Sequence, residues 1–307
     1  MPSTPYRMTR RDALVALAAA ARPAAGEKPS NYIDAHVHVW TPDIAHFPRN
    51  PKYAGQQSKP ESFTPEQLLT VAKPTGVSRI VLIQMSFYGT DNAYMLDAIK
   101  RYPATFCGVG ILDHTAPGVR NEMIRLKALG VRGYRITPAG QTSTWLDSAG
   151  MQAMWQCGAE KVIAMCPLIG PDAIPSVDRM CAKYPDTPVV IDHMARIGTG
   201  GEIRKADVDA LCALASRRSV HVKVSAFYAL GKKQYPYTDL SPLIQALYHA
   251  YGPRRLMWAS DSPFQVQPPH TYAGSIELVR DRLNFLSNED RQWLLRNTAE
   301  QVFFSRS

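Results

Sequence analysis

The sequence predicts a single-domain α/β fold, a (β/α)8 TIM barrel, on three observations. Short apolar runs rich in Val and Ile alternate with longer segments of helical periodicity, the pattern of a parallel sheet covered by helices. Eight such runs fall within about 275 residues, a usual length for one barrel of this kind. No linker-like stretch and no internal repeat beyond the βα alternation divides residues 31–307. A doubly wound sheet is the competing architecture.

The expected strands are Ile33–Val39, Arg79–Met85, Phe106–Leu112, Val131–Ile136, Val162–Met165, Val189–Ile191, Val220–Ser225 and Leu256–Ser260. Between them, Thr64 reads as an N-cap with Pro65 at the first helical position. Asp91–Arg101 places Ala93, Leu96, Ala98 and Ile99 along one side of a helix. Further helical patterns run over Pro171–Tyr184, Lys205–Ser216, Leu240–Tyr251 and Gly274–Leu286, with a helical tail from Glu289. The one long non-periodic stretch, Trp40–Phe63, follows the first strand directly and is expected to form a lid or pocket wall.

The chain has 307 residues, 45% hydrophobic and 20% charged, which excludes a disordered, collagenous or disulfide-scaffold protein. No apolar run approaches the roughly 18 residues of a membrane span. Residues 1–26 read as a targeting segment: Arg10-Arg11 precedes a short Ala-rich apolar stretch and small residues, resembling a twin-arginine export signal. Export to the periplasm is the expected localisation, with a retained N-terminal helix and a cytoplasmic protein as the alternative. Of the formal charge of +9, that segment carries +3 and the remaining chain +6. Its basic pairs, Arg217-Arg218, Lys232-Lys233 and Arg254-Arg255, are scattered and not interleaved with aromatics, which argues against nucleic acid. A mildly positive field suits a small anionic substrate. Five widely spaced cysteines, with no Cys-x-x-Cys pair, are expected to be core thiols. Nothing in the sequence specifies an oligomeric state.

In a barrel of this kind the active site lies at the carboxyl ends of the strands. Strand one ends in Asp34-Ala35-His36-Val37-His38, and residues two apart in a strand share a face, so both imidazoles are expected in the barrel mouth. Strand six ends in Asp192-His193, strand seven carries Lys223 and Ser225, and strand eight ends in Ser260-Asp261-Ser262. Taken singly, His193 could cap a helix, Lys223 could pair with a carboxylate inside the barrel, and Asp261 could be an N-cap. Four strand ends converging on one rim favour a shared site.

These segments, Asp-Ala-His-Val-His, Ile-Asp-His-Met-Ala-Arg at 191–196 and Ala-Ser-Asp-Ser-Pro at 259–263, resemble the amidohydrolase superfamily, and within it the amidohydrolase-related branch. Gln84–Asn92, Gly130–Arg135 and Asp192–Arg196 are most similar to the 2-pyrone-4,6-dicarboxylate lactonases and their sugar-lactonase relatives. The resemblance implies a hydrolase opening a small lactone or related ester, with Asp261 as general base. His36, His38 and His193 would then either polarise the carbonyl directly or, with Asp261, hold one divalent metal, zinc by donor type. Both routes occur among the proteins resembled. Strand five ends in Ala164-Met165-Cys166-Pro167 without a His, which disfavours a binuclear centre and weakens the alternative of a metal-dependent decarboxylase acting on an acidic aromatic-derived compound.

Substrate binding is expected from Arg135, Arg196 and Lys223, with Ser86, Tyr88 and Asn92 adding neutral hydrogen bonds. Arg132, out of phase with Arg135, is expected to face outward. After strand seven no Arg follows, so Phe227 and Tyr228 are expected to form an apolar wall and the substrate to be less acidic than a dicarboxylate.

Overall fold

A computed structural model describes residues 31–53 and 55–305; the signal-like segment 1–26 lies outside the described residues. Eight strands run parallel in chain order: β1 (Tyr32–Val37), β2 (Val77–Ile83), β3 (Phe106–Gly110), β4 (Val131–Ile136), β5 (Ala164–Pro167), β6 (Val189–Ile191), β7 (Val220–Val224) and β8 (Leu256–Trp258). The sheet closes on itself where β8 meets β1. His38 N donates to Ser262 O at 2.8 Å, and Ser260 N donates to the Asp34 carboxylate at 2.9 Å. The (β/α)8 barrel is therefore the observed fold, and the doubly wound sheet is excluded.

The helices are α1 (Pro65–Ala72), α2 (Ala93–Arg101), α3 (Val119–Ala128), α4 (Ala149–Lys161), α5 (Ile174–Lys183), α6 (Lys205–Ala213), α7 (Ser241–Tyr251), α8 (Tyr272–Glu277) and α9 (Asn288–Gln292). Thr64 caps α1 as expected, in a reciprocal box with Gln67. Two helices, α3 and α4, have no counterpart in the sequence reading. The buried positions of α3 reduce to a sparse stripe of Val119, Met123 and Leu126, and α4 buries Met, Cys and Gly beside one Trp, so neither shows a strong apolar period. The expected continuous helix Gly274–Leu286 is interrupted: α8 passes into a wider helical turn at Leu278–Arg282. The expected fifth strand began too early, because Val162 ends α4 with φ +52° and is exposed.

Apolar side chains divide into two layers. Ile33, Val81, Val109, Val190 and Met257 fill the barrel, floored by Phe303 from the C-terminal segment, while Ile80, Leu82, Met165, Val222 and Trp258 pack outward against the helices. All five cysteines are free thiols and four are buried, as expected. Among the described residues no helix is long and apolar enough to cross a membrane.

One irregularity matters for the site. The register of β1 against β2 slips between Asp34 and Val37. Strict alternation would send Asp34 the same way as His36 and His38. The slip instead leaves Asp34 held by Ser260 N and by Tyr272 of α8, whose hydroxyl donates to it at 2.7 Å, and the two imidazoles alone face the mouth.

The stretch after β1 is pinned at its base by paired backbone hydrogen bonds between Trp40 and Phe63, each 3.0 Å. Its middle is tied to the loop after β2 by Asn50 N donating to Phe87 O at 2.8 Å. Gly89, at φ +60°, makes this approach possible, since a Cβ there would lie 2.8 Å from the Asn50 side-chain amide.

Candidate active site

Asp261 follows β8 in a left-handed conformation, φ +61°, with its amide donating to His36 O at 2.9 Å. Asp tolerates this region better than most residues. Its carboxylate is buried and ringed by the three imidazoles: Oδ1 lies 3.5 Å from His36 Nε2 and 3.4 Å from His38 Nε2, and Oδ2 lies 3.6 Å from His193 Nε2. The sequence expectation that strands one, six and eight share a mouth is met. The carboxylate caps no helix; Asp261 contributes only its carbonyl to the turn at Gln265.

His193 reaches the ring through an unusual backbone. His193, Met194, Ala195 and Arg196 all have positive φ, between 50° and 56°, a left-handed turn that costs about 1–2 kcal/mol per non-glycine residue. Burial of Met194 and Ala195 offsets that cost. The turn brings the His193 ring 4.4 Å from that of His36, and Nδ1 engages Ser225 Oγ at 2.8 Å.

Beneath the imidazoles lies a charged layer. Asp192 receives Lys223 Nζ at 2.9 Å and Arg135 Nη2 at 3.2 Å, and Lys223 and Asp192 are both fully buried. His36 Nδ1 lies 3.3 Å from Asp192 and 3.2 Å from Lys223 Nζ, while its Nε2 lies 2.6 Å from Arg135 Nη2. Burial, then the Lys223 cation, drives the His36 pKa well below its ordinary value, so the ring is neutral. With the ring neutral, its 3.3 Å approach to Asp192 is not an ion pair. Burial works to raise Asp192, but Lys223 and His36 overcome it and hold the carboxyl well below its usual range. Burial also lowers His193. Asp261 is likewise pulled far down: burial opposes ionisation, and the facing His193, foremost, outweighs it.

The donor set fits a cation. With His38 Nδ1–H donating to Ile83 O at 2.9 Å, the Nε2 lone pair points at Asp261 Oδ1, itself buried without a hydrogen-bond partner. Two acceptors thus face each other across 3.4 Å. His36, His38 and Asp261 offer ligand atoms close enough for one ion, and so do His36, Asp192 and His193. Arg135 competes for the His36 Nε2 lone pair, so the same ring can serve either an ion or a guanidinium.

Above this floor opens a cavity of about 270 Å³. Ser86, Arg135, His193, Arg196 and Asp261 line it, as expected, together with Phe264, which the sequence did not single out. Arg135 Nε is buried without a partner, and exposed Arg196 has no carboxylate partner among the described residues. Three expected binding residues lie elsewhere. Lys223 sits under His36, paired with Asp192, which was the structural alternative for it. The Tyr88 hydroxyl accepts from Thr41 N at 3.3 Å and anchors the lid. Asn92 bonds Thr90 O and both backbone groups of Ile111.

The expected apolar wall is also corrected. Phe227 is fully buried, 5.8 Å from the Tyr237 ring, and does not line the cavity, whereas Tyr228 does and donates its hydroxyl to Asp261 Oδ2 at 2.7 Å. Asp192 was the hub the sequence reading passed over, although its place beside His193 at a strand end was the available signal. Arg132, expected to face outward, bonds the carbonyls of Lys127 and Val131 at the opposite end of β4 from Arg135 and shares a cavity wall with Cys107 and Phe303 of the barrel interior.

Known proteins of similar sequence and fold place the chain. The chain is 29% identical over 237 residues to a 4-sulfomuconolactone hydrolase of Rhizobium radiobacter, covering 76% of each chain. It is 26% identical over 237 residues to an L-fucono-1,5-lactonase of Burkholderia ambifaria, covering 75% of this chain and 80% of that one. The crystal structure of an amidohydrolase from Burkholderia multivorans with bound zinc superposes with a TM-score of 0.75 at 21% identity, over 89% of this chain and 99% of that one. With the Amidohydrolase family model matching residues 33–304, from the first strand to the C-terminal helical segment, this chain belongs to the amidohydrolase family.

Proposed function

We propose that this protein hydrolyses a small lactone that carries an anionic group. The carrying observation is Asp261 Oδ1: a buried, ionised oxygen with no hydrogen-bond partner, on the floor of a cavity lined by two arginines. Both lactone-hydrolysing relatives support the reading.

Asp261 takes a proton from the water that attacks the ring carbonyl. When the tetrahedral adduct collapses, the carbon–oxygen bond of the ring breaks, and the protonated Asp261 returns its proton to the leaving alkoxide. The substrate's anionic group is held by Arg135 Nε and Arg196. His36, His38 and Asp261 are the residues that would hold a divalent ion, zinc by the imidazole–carboxylate donor set, and such an ion would supply Lewis-acid polarisation and a more acidic water. The decarboxylase alternative gains nothing from the geometry, since β5 ends in Cys166-Pro167 and brings no imidazole to the rim.

A lactone panel followed by proton release, on protein of measured metal content before and after chelation, tests the reading. Hydrolysis of at least one anionic lactone, lost in Asp261→Asn, supports it; a fully inactive panel, with metal restored, overturns it. For the cell, the Arg10-Arg11 segment supports export, and fractionation showing only full-length protein in the cytoplasm would remove that part.

A further inference from the structure

A second cavity, of about 210 Å³, adjoins the catalytic one and shares Met85 and Phe264 with it as common wall. Its other walls are aromatic and basic. Trp40 and Phe87 meet edge to face at 5.6 Å, Trp40 and Phe264 lie 6.2 Å apart, and Arg49 and Lys59 close the outer side. The Arg49 guanidinium lies 4.7 Å over the Phe87 ring, which fixes its plane, and its hydrogen bond goes to a neutral backbone carbonyl, that of Gln56. Among the described residues neither Arg49 nor Lys59 has a carboxylate within ion-pair distance, in contrast to the paired Arg101, Arg120, Arg125, Arg204 and Arg217. The chamber is also rigidly mounted, because the Trp40–Phe63 pairing and the Asn50–Phe87 hydrogen bond hold the lid against the barrel.

We propose that this chamber is a specificity subsite, in which the substrate's lactone ring lies over Asp261 and a planar apolar arm ends in a second anionic group, a carboxylate or sulfonate, held by Arg49. Flat aromatic walls select a planar arm, and a preorganised guanidinium whose charge is unneutralised selects an anion at its end. The inference rests on the lactonase reading for the ring and on the lid chamber for the arm.

The test uses two lactones with the same δ-lactone ring, one bearing a 4-carboxyphenyl arm and one a phenyl arm, assayed with wild type, Arg49→Met and Arg49→Lys. Met keeps the packing on Phe87 without charge. The wild-type ratio of kcat/KM for the carboxyphenyl over the phenyl lactone is expected to fall at least tenfold in Arg49→Met, through KM and not kcat, and to be partly restored in Arg49→Lys. A ratio within threefold of wild type in Arg49→Met overturns the subsite. Should wild type hydrolyse neither compound, the lactonase reading is what fails for this ring, and calorimetry with 4-ethylbenzoate and 4-ethylbenzamide decides the subsite alone. Preference for the anion that disappears in Arg49→Met supports it, and equal binding by both proteins overturns it.

Discussion

Tyr228 donates its hydroxyl to Asp261 Oδ2 at 2.7 Å, so the two oxygens of that carboxylate are not equivalent. Oδ2 is pinned, and Oδ1 is left without a hydrogen bond between His36 and His38. The Tyr228 ring is itself fixed by stacking on Phe264 at 6.2 Å. Removing the hydroxyl in Tyr228→Phe keeps the ring packing and frees the carboxylate to rotate. Hydrogen bonds to charged acceptors contribute about 1.5–3 kcal/mol, so kcat is expected to fall roughly ten- to a hundredfold with KM changed less than threefold. A residue of purely structural importance would lower the melting temperature and leave kcat of the folded fraction intact.

Replacing the proposed base has a larger effect. Asp261→Asn is expected to cut turnover by at least about a hundredfold, the usual size of a general-base contribution, while near-UV circular dichroism stays that of the wild type. Retention of more than about a tenth of the activity would remove Asp261 from the mechanism.

The buried Lys223–Asp192 pair supports the site from below. Lys223→Met leaves Asp192 with Arg135 as its remaining cationic partner in a fully buried position. Breaking such a pair from one side costs about 3–5 kcal/mol, read as a lower urea midpoint. Because the charge left behind causes most of that loss, the double variant Lys223→Met/Asp192→Leu is expected to recover a large part of it while remaining inactive. Equal instability of the single and double variants would contradict this account.

His221, on β7 and turned toward the far end of the barrel from the site, gives a pH signature. Burial lowers its pKa from 6.5 to about 4. Between these values the unfolded chain binds a proton that the folded chain refuses, so stability present at pH 7 is lost as pH falls through 6.5 toward 4. After discounting for its partial exposure, the effect is on the order of 2 kcal/mol. Asp34 works in the opposite sense, since burial raises its carboxyl to about 6 and the folded state gains as pH falls through that value. The informative comparison is therefore wild type against His221→Asn, whose urea midpoints should converge between pH 7 and pH 5. A constant difference between the two proteins across that range would show that His221 does not titrate this way.

The chain itself determined the barrel and the members of the ring at its mouth. Alternating Val- and Ile-rich runs can satisfy their backbone and bury both faces only as a helix-covered parallel sheet, and polar residues at strand ends then have one place to go. Thus His36, His38, His193 and Asp261 were legible from position alone. Which neighbours serve them was not. Tyr88 and Asn92 follow β2 much as a binding loop would, yet the lid and Ile111 claim their polar groups; Tyr228 reads as apolar wall and turns out to hold the Asp261 carboxylate; Asp192 reads only as the end of strand six and is the hub beneath His36. Each of these roles depends on a partner at least 19 residues away in the chain, reached only when the barrel closes. Periodicity reports which face a side chain takes, and folding alone decides what waits there to meet it.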